Sequence, residues 1–537
     1  MDVFDYIVVG AGTAGCVVAN RLSASGRHKV LLLEAGGSDR RFWIQVPIGY
    51  GRTFNDPRVN WMFEAEPDPG LAARRLFWPR GKVLGGSGSI NALVYYRGLP
   101  DDFDEWRALG NPGWGFSDVL PYFERFEERA AAPAAASRDG PLLHISDVSA
   151  DVHPLCQNFI DSCRALGFAS QDFNGPQGEG VGIYQIMTRS GRRESTARGY
   201  LHPALARSNL SLLLHAQVLR ILFDKRRAVG VAYRHAERTL AATAAKGVIL
   251  CGGAINSPQL LQLSGVGDAA LLARHGIEVV TESPAVGRNL QDHLAVSYFY
   301  RSKVPTLNDV FRPLSGKVKV ALRYLATRRG PLAMSVNQGG GFIKSDPSRS
   351  RPNLQLYFNP ISYTAQGLKK RLLKPDPFSA FLLSFNACRP TSRGHIEIRS
   401  ADPLEAPAVQ PNSLATAEDV ADVIAGTRLL RSIAATAPLS HYIESEMLPG
   451  RAQQSDAQLL QDFRERAGTV FHPVSTCRMG PDPASAVVDA SLRVYGVEGL
   501  RVIDASIFPT LTSGNTNAPT IMVAEKGAAL IAAQEGA

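Results

Sequence analysis

Short runs with no polar position punctuate the chain. Residues 6–9 (YIVV) and 30–33 (VLLL) are apolar throughout, the pattern of strands covered on both faces. Residues 14–22 lie between them and read as a helix that packs against those strands. Runs at 246–250 and 501–503 end on Cys251-Gly252-Gly253 and on Asp504, and they predict two more strands of the same sheet. Runs at 353–358 and 380–387, together with the alternating, half-exposed pattern of 395–399 (HIEIR), predict a second and largely antiparallel sheet. The expected class is α/β, with an added α+β domain.

Residues 312–329 (RPLSGKVKVALRYLATRR) follow another period. Leu314, Val318, Ala321, Leu322 and Leu325 fall on one side of a helix, with Arg312, Lys319 and Arg323 opposite. Packing of the apolar side on its own domain is the expectation. The alternative is peripheral contact of 312–329 with an anionic membrane surface.

The break after the first run carries chemistry. Gly10, Gly12 and Gly15 give G-x-G-x-x-G: a tight turn, a close approach for a pyrophosphate, and room for the helix against the strand. Glu34 closes the second strand, placed to accept from a ribose 2′-OH. A second glycine-dense stretch, GKVLGGSGSINALVYYRG from Gly81, brings Gly85, Ser87 and Asn91, the last near the start of a predicted helix. A second dinucleotide fingerprint, needed if FAD and a nicotinamide were both bound, is not found. FAD alone is the better inference, held in a Rossmann-like domain.

Composition narrows the class. At 537 residues, with 45% hydrophobic and 20% charged positions, the chain suits two sizeable soluble domains. Met1 lies close to the first strand and no apolar run reaches spanning length, so a cytoplasmic protein is expected, with the inner membrane face as the alternative. Six scattered cysteines with no zinc spacing predict no metal. The net charge of +9 is local: residues 301–380 hold fifteen Lys and Arg against three Asp, a net +12, leaving −3 elsewhere. No basic motif interleaved with aromatics accompanies it, so nucleic acid is set aside.

Several blocks in order resemble the glucose-methanol-choline (GMC) oxidoreductases. Residues 81–104 are similar to the first signature of that family and 253–267 (GAINSPQLLQLSGVG) to the second; VGRNLQDH, HPVSTCRMG, GLRVIDASIFP and GNTNAPTIMVAEK follow. FWPRG at 77–81 and the block pattern look most like the alkanol dehydrogenases that reduce a quinone, with choline dehydrogenases also similar. The resemblance implies an FAD-binding domain of residues 1–150, 190–300 and 462–537, and a substrate domain of 151–189 and 301–461. Implied cofactor contacts at the first fingerprint are Gly10, Gly12, Thr13, Ala14, Gly15, Glu34 and Ala35. Those of the middle segments are Gly85, Ser87, Asn91, Ala92, Val94 and Val218. Near the C-terminus they are Asp504, Ala505, Asn517, Pro519 and Thr520. Ile90 stands where members with covalent flavin carry histidine, so noncovalent FAD is implied; Gly88 replaces a common Ser.

Alcohol oxidation by hydride transfer needs a base for the hydroxyl proton, and a neutral imidazole can serve. By resemblance His472 is that base and Asn517 its partner, while the block holding His293 reads as a structural loop. Val336, Asn337, Phe358 and Val474 are candidates to line the substrate pocket. The expected reaction is oxidation of an uncharged primary alcohol to an aldehyde, with electrons passed to a quinone-like acceptor or oxygen. A hydroxynitrile lyase of the same family is the alternative.

Overall fold

The computed structural model describes residues 3–129, 143–175, 178–363 and 374–536. Its first sheet has seven strands, in the order Leu210–Leu213, Val30–Leu33, Val3–Val9, Arg238–Leu250, Arg227–His235 and Gln217–Asp224, with Leu500–Val502 beside Arg238–Leu250. The register aligns their ends. Val9 pairs with Leu33 and with Leu250, Leu33 with Leu213, and Leu250 with Val502. Gly10, Glu34, Cys251 and Ile503 therefore leave the sheet in one row, the edge at which open parallel sheets bind ligands. Arg238–Leu250 is longer than the predicted 246–250 because its polar first half pairs in an antiparallel meander with Arg227–His235.

Two glycines fix the turn into the first helix, Thr13–Ser23. Gly10 has φ +94° and a Cβ there would lie 2.7 Å from the Cys251 carbonyl oxygen; a Cβ on Gly15 would lie 1.8 Å from the Gly10 carbonyl oxygen. Helix and strand can approach only without those side chains. The other face of Thr13–Ser23 meets the C-terminal helix Asn517–Gln534.

The second sheet is antiparallel, in the order Ile443–Leu448, Leu294–Ser302, Ala380–Ala387, Leu354–Asn359, Gly339–Ile343 and Gly180–Ile183, with Gly468–Thr469 against Leu294–Ser302. Leu294–Ser302 thus runs across the boundary placed at residue 300. The predicted strand at 395–399 is not part of this sheet: His395–Glu397 pairs with Ala408–Gln410 in a separate ribbon. The Gln262 side chain takes both the Ile396 carbonyl and the Ile398 N–H, which ties the segment to the helix Gly253–Leu263 instead.

Two further expectations are corrected. No helix starts at Asn91; a 3₁₀ turn, Gly86–Ser89, precedes it, and Leu93 takes the left-handed conformation at φ +71°. The helix within 312–329 exists as Leu314–Thr327, but it packs through Val320 and Tyr324 rather than through its leucines. Tyr324 donates its hydroxyl to the Gly191 carbonyl and sits with Val46 and Ala333. Leu314, Val318, Leu322 and Leu325 are left 76, 49, 62 and 57% exposed.

Candidate active site

A cavity of about 1830 Å³ extends from the row of strand ends to the antiparallel sheet. Gly10, Gly12, Thr13 and Ala14 line it at one end, and Asn515, Thr516, Asn517 and Thr520 line it as well. The helices Thr13–Ser23 and Asn517–Gln534 both begin there without a side-chain cap. Their first-turn N–H groups have no side-chain acceptor, which fits a pyrophosphate. Gly86 supports the same wall, at φ +54° and so close to Gly12 that a Cβ would lie 2.7 Å from the Gly12 Cα.

Glu34 is buried and lines this end. Its two oxygens accept from the backbone N–H groups of Ala11 and Gly36, at 2.9 and 2.8 Å, and each keeps a lone pair for a ribose hydroxyl. Burial pushes its carboxyl up to about 7 against those bonds and the Lys82 ammonium. Asp504 also lines the cavity, but its oxygens are taken by Gly253 N, Ser257 Oγ, and the N–H and hydroxyl of Ser506. It clamps two strand ends together.

His472 lies further along, 8% exposed. It is placed by an antiparallel run in which Leu294 pairs with Thr469 and Gln291 with Val474, and the same pairing brings His293 beside it. The turn itself is unusual for side-chain-bearing residues: Phe471 and Ser475 have φ +70° and +75°. Asp292 holds the turn, accepting from the His472 backbone N–H at 2.7 Å and from the Thr469 hydroxyl. Arg80, also on the cavity wall, donates to the Phe471 carbonyl at 2.6 Å.

Hydrogen bonds decide the tautomer. His293 Nε2 lies 2.8 Å from the Cys388 carbonyl oxygen, which can only accept, so Nε2 carries the proton. Burial holds the His293 imidazole down to about 4, hence neutral, and its Nδ1 is an acceptor. His472 Nδ1, 2.9 Å from that atom, must donate. The lone pair of His472 is thus at Nε2, where Asn515 Nδ2 approaches at 3.2 Å. Burial, then His293 and Arg80, hold the His472 pKa well below the usual histidine range. It is a neutral base with its acceptor atom fixed.

The asparagine beside the base is Asn515, not Asn517. Asn515 Oδ1 accepts from Gln355 Nε2 at 3.3 Å, which aims the Asn515 NH₂ at the imidazole. Asn517, two residues on and inside the first helical turn, accepts from Thr13 Oγ1 at 2.9 Å and donates to Met187 Sδ. It belongs to the nucleotide end. His293 likewise supports the base rather than only a loop. Both residues were visible in the blocks QDH and GNTN, but side-chain direction was not.

Of the remaining predicted residues, Ala35, Ser87, Asn91, Ala92, Val94, Val218, Ala505, Val336 and Asn337 line the cavity. Gly15, Gly85, Pro519, Phe358 and Val474 do not. Phe358 stacks on Phe159 in the core, and strand alternation gives its place on the wall to Tyr357 and Asn359. Val474 is fully buried behind His472. Asn91 spends its Oδ1 on Arg193 Nη1 and Leu93 N, and the buried Arg193 also takes the carbonyls of Gly88, Asn91 and Ile44. Among the described residues no cluster of His, Cys, Asp and Glu could hold a metal.

A dinucleotide crevice continuous with a neutral, buried base defines an FAD-dependent oxidoreductase acting on CH–OH donors. The chain belongs to the GMC oxidoreductase family, whose N- and C-terminal models match residues 4–295 and 390–524. It is 42% identical to the "Alcohol dehydrogenase [acceptor]" of Pseudomonas putida over 98% of this chain and 95% of that one. To the mitochondrial choline dehydrogenase of Mus musculus it is 43% identical over 99% and 89%. Among solved structures, pyridoxine 4-oxidase from Mesorbium loti superposes with a TM-score of 0.87 at 29% identity over 98% of each chain. A formate oxidase does so with 0.91 at 25% identity, over 100% of this chain and 99% of that one.

Proposed function

We propose that the protein oxidises a primary alcohol to an aldehyde, with His472 Nε2 taking the hydroxyl proton as the α-carbon loses a hydride. Bound FAD would supply the hydride acceptor, N5. In this reading residues 1–150, 190–300 and 462–537 hold the cofactor, and 151–189 and 301–461 shape the substrate side. Asn515 Nδ2 donates to the alcohol oxygen and Tyr357, Asn359, Val336 and Asn337 surround the chain. The supporting observation is the His293–His472 pair, which leaves His472 with a lone pair at Nε2. FAD is held noncovalently, since Ile90 on the cavity wall offers no nucleophile.

Electrons pass on to a quinone-like acceptor faster than to oxygen. A membrane contact through 312–329 would bring such an acceptor near; the four exposed aliphatic side chains of Leu314–Thr327, next to Lys319 and Arg323, favour it. No described helix is long and apolar enough to cross a membrane. The test is anaerobic addition of alcohols to the yellow holoenzyme. Bleaching with aldehyde formation supports the reading, and persistent colour with cyanide released from a hydroxynitrile would replace it by the lyase.

A further inference from the structure

The charges around the cavity are unevenly placed. Its acidic wall residues are Glu34, Asp504 and Glu465. Glu34 and Asp504 are committed to backbone and hydroxyl donors at the nucleotide end. Glu465 is on the rim, accepting from Gln461 at 2.7 Å. Among the described wall residues no buried carboxylate is therefore free to receive a cation.

The rim of the cavity is largely basic. Arg52, Arg312, Lys317 and Lys374 all line the cavity and are all exposed, which puts them at its opening. Arg52 lies over the Trp43 ring at 4.5 Å, and Arg312 donates to the Pro377 carbonyl. None of the four forms an ion pair among the described residues. Of the nearest carboxylates in sequence, Asp309 accepts from Thr306 N and Ser379 Oγ, and Asp376 from Ser362 Oγ. The same cavity is also lined by the apolar side chains of Phe311, Val320 and Leu332, in or beside the basic helix Leu314–Thr327.

A neutral base at the inner end, apolar wall residues and four cations with no ion pair among the described residues match one kind of molecule. We infer that the preferred substrate is a primary alcohol whose far end is an anion, an ω-hydroxycarboxylate in chemical class, and that a quaternary ammonium alcohol is disfavoured. This rests on the alcohol-oxidising reading above. The hydroxyl end reaches His472 and Asn515, the methylene chain lies along the apolar wall residues, and the carboxylate stays half-hydrated among the rim cations. Focused charge of one sign at a cleft raises the capture rate of the opposite sign by about 10- to 1000-fold at low salt.

The experiment compares octanol, ω-hydroxyoctanoate and the ω-trimethylammonium analogue of octanol as reductants of the holoenzyme, with one dye acceptor, at low and high ionic strength. Expected is a kcat/KM for the carboxylate at least about tenfold above octanol at low salt, shrinking as salt screens the rim, with the ammonium compound lowest. Lys317→Glu combined with Lys374→Glu, both at exposed positions, should reverse the order of the two charged substrates relative to octanol in the same variant. Equal kcat/KM for octanol and the carboxylate, or a preference that survives the double variant, overturns the inference and leaves alcohol oxidation standing. Failure to oxidise any of the three overturns the reading on which it rests.

Discussion

Around the nucleotide end of the cavity the working groups are backbone N–H groups and gaps, whereas around His472 they are side chains held by other side chains. The first end asks that Gly10, Gly15 and Gly86 carry nothing, because each added Cβ would meet a carbonyl or another backbone at under 3 Å. The second asks that His293, Asn515 and Gln355 arrive from three distant segments with the right atoms facing. A cradle made of absences fails all at once when filled. A base held by a relay should fail in graded steps.

Gly15→Val is the harshest test of the first end, since its Cβ would overlap the Gly10 carbonyl oxygen. We expect a protein purified without yellow colour; retention of FAD at parental stoichiometry would show that helix and strand do not need their close approach. His472→Ala should keep its colour but reduce flavin about 10²- to 10⁴-fold more slowly, the usual cost of losing a positioned base. Stopped-flow mixing with alcohol under nitrogen gives that number directly.

The two asparagines sharpen the contrast. Asn515→Ala should slow flavin reduction by about ten- to a hundredfold, as expected for a lost hydrogen bond to developing charge, with FAD affinity unchanged. Asn517→Ala should do the opposite, loosening FAD with a smaller effect on the chemical step. If Asn517→Ala is the slower enzyme, the two roles are reversed.

The smallest effects concern protons. In the proposed reaction His472 works as the neutral form, so kcat/KM should fall as pH drops through its pKa. Because burial, His293 and Arg80 depress that pKa, the acid limb should lie below the ordinary histidine range, and a limb within or above that range would contradict the buried pair. Glu34→Ala should weaken FAD by about 1.5 to 3 kcal/mol in equilibrium dialysis, if bonds to an ionised carboxylate are lost. In the apoprotein folded Glu34 keeps its proton up to about 7 while the unfolded chain loses it near 4.5, so its contribution to stability declines as pH rises across that window. Glu34→Gln should flatten that slope in urea titrations.

The nucleotide end was largely legible from sequence because its information is local. Glycines, apolar runs and a terminal acid within residues 6–34 specify the turn, the helix and the strand spacing by sterics alone. The end around His472 was legible only to the segment. His472 could be named, yet choosing Asn515 over Asn517 depends on where a helix begins and on Gln355 from the second sheet. Phe358 was placed on the wall for a similar reason: a strand buried on both faces gives no alternation from which to read its direction. In the helix Leu314–Thr327 the apolar stripe points away from the packed face, because Val320 and Tyr324 make the contacts.

The closing segments of the chain complete its opening ones. Leu500–Val502 joins the sheet begun at Val3, the helix Asn517–Gln534 covers Thr13–Ser23, and Glu535 binds Tyr6, His28 and Lys246. During synthesis the first fingerprint must therefore wait, with one face of its helix uncovered, until residues 500–535 have left the ribosome. Premature termination shortly before residue 500 should yield a chain that holds its antiparallel sheet but exposes an unfinished nucleotide fold, detectable by dye binding to apolar surface and by rapid proteolysis near the N-terminus.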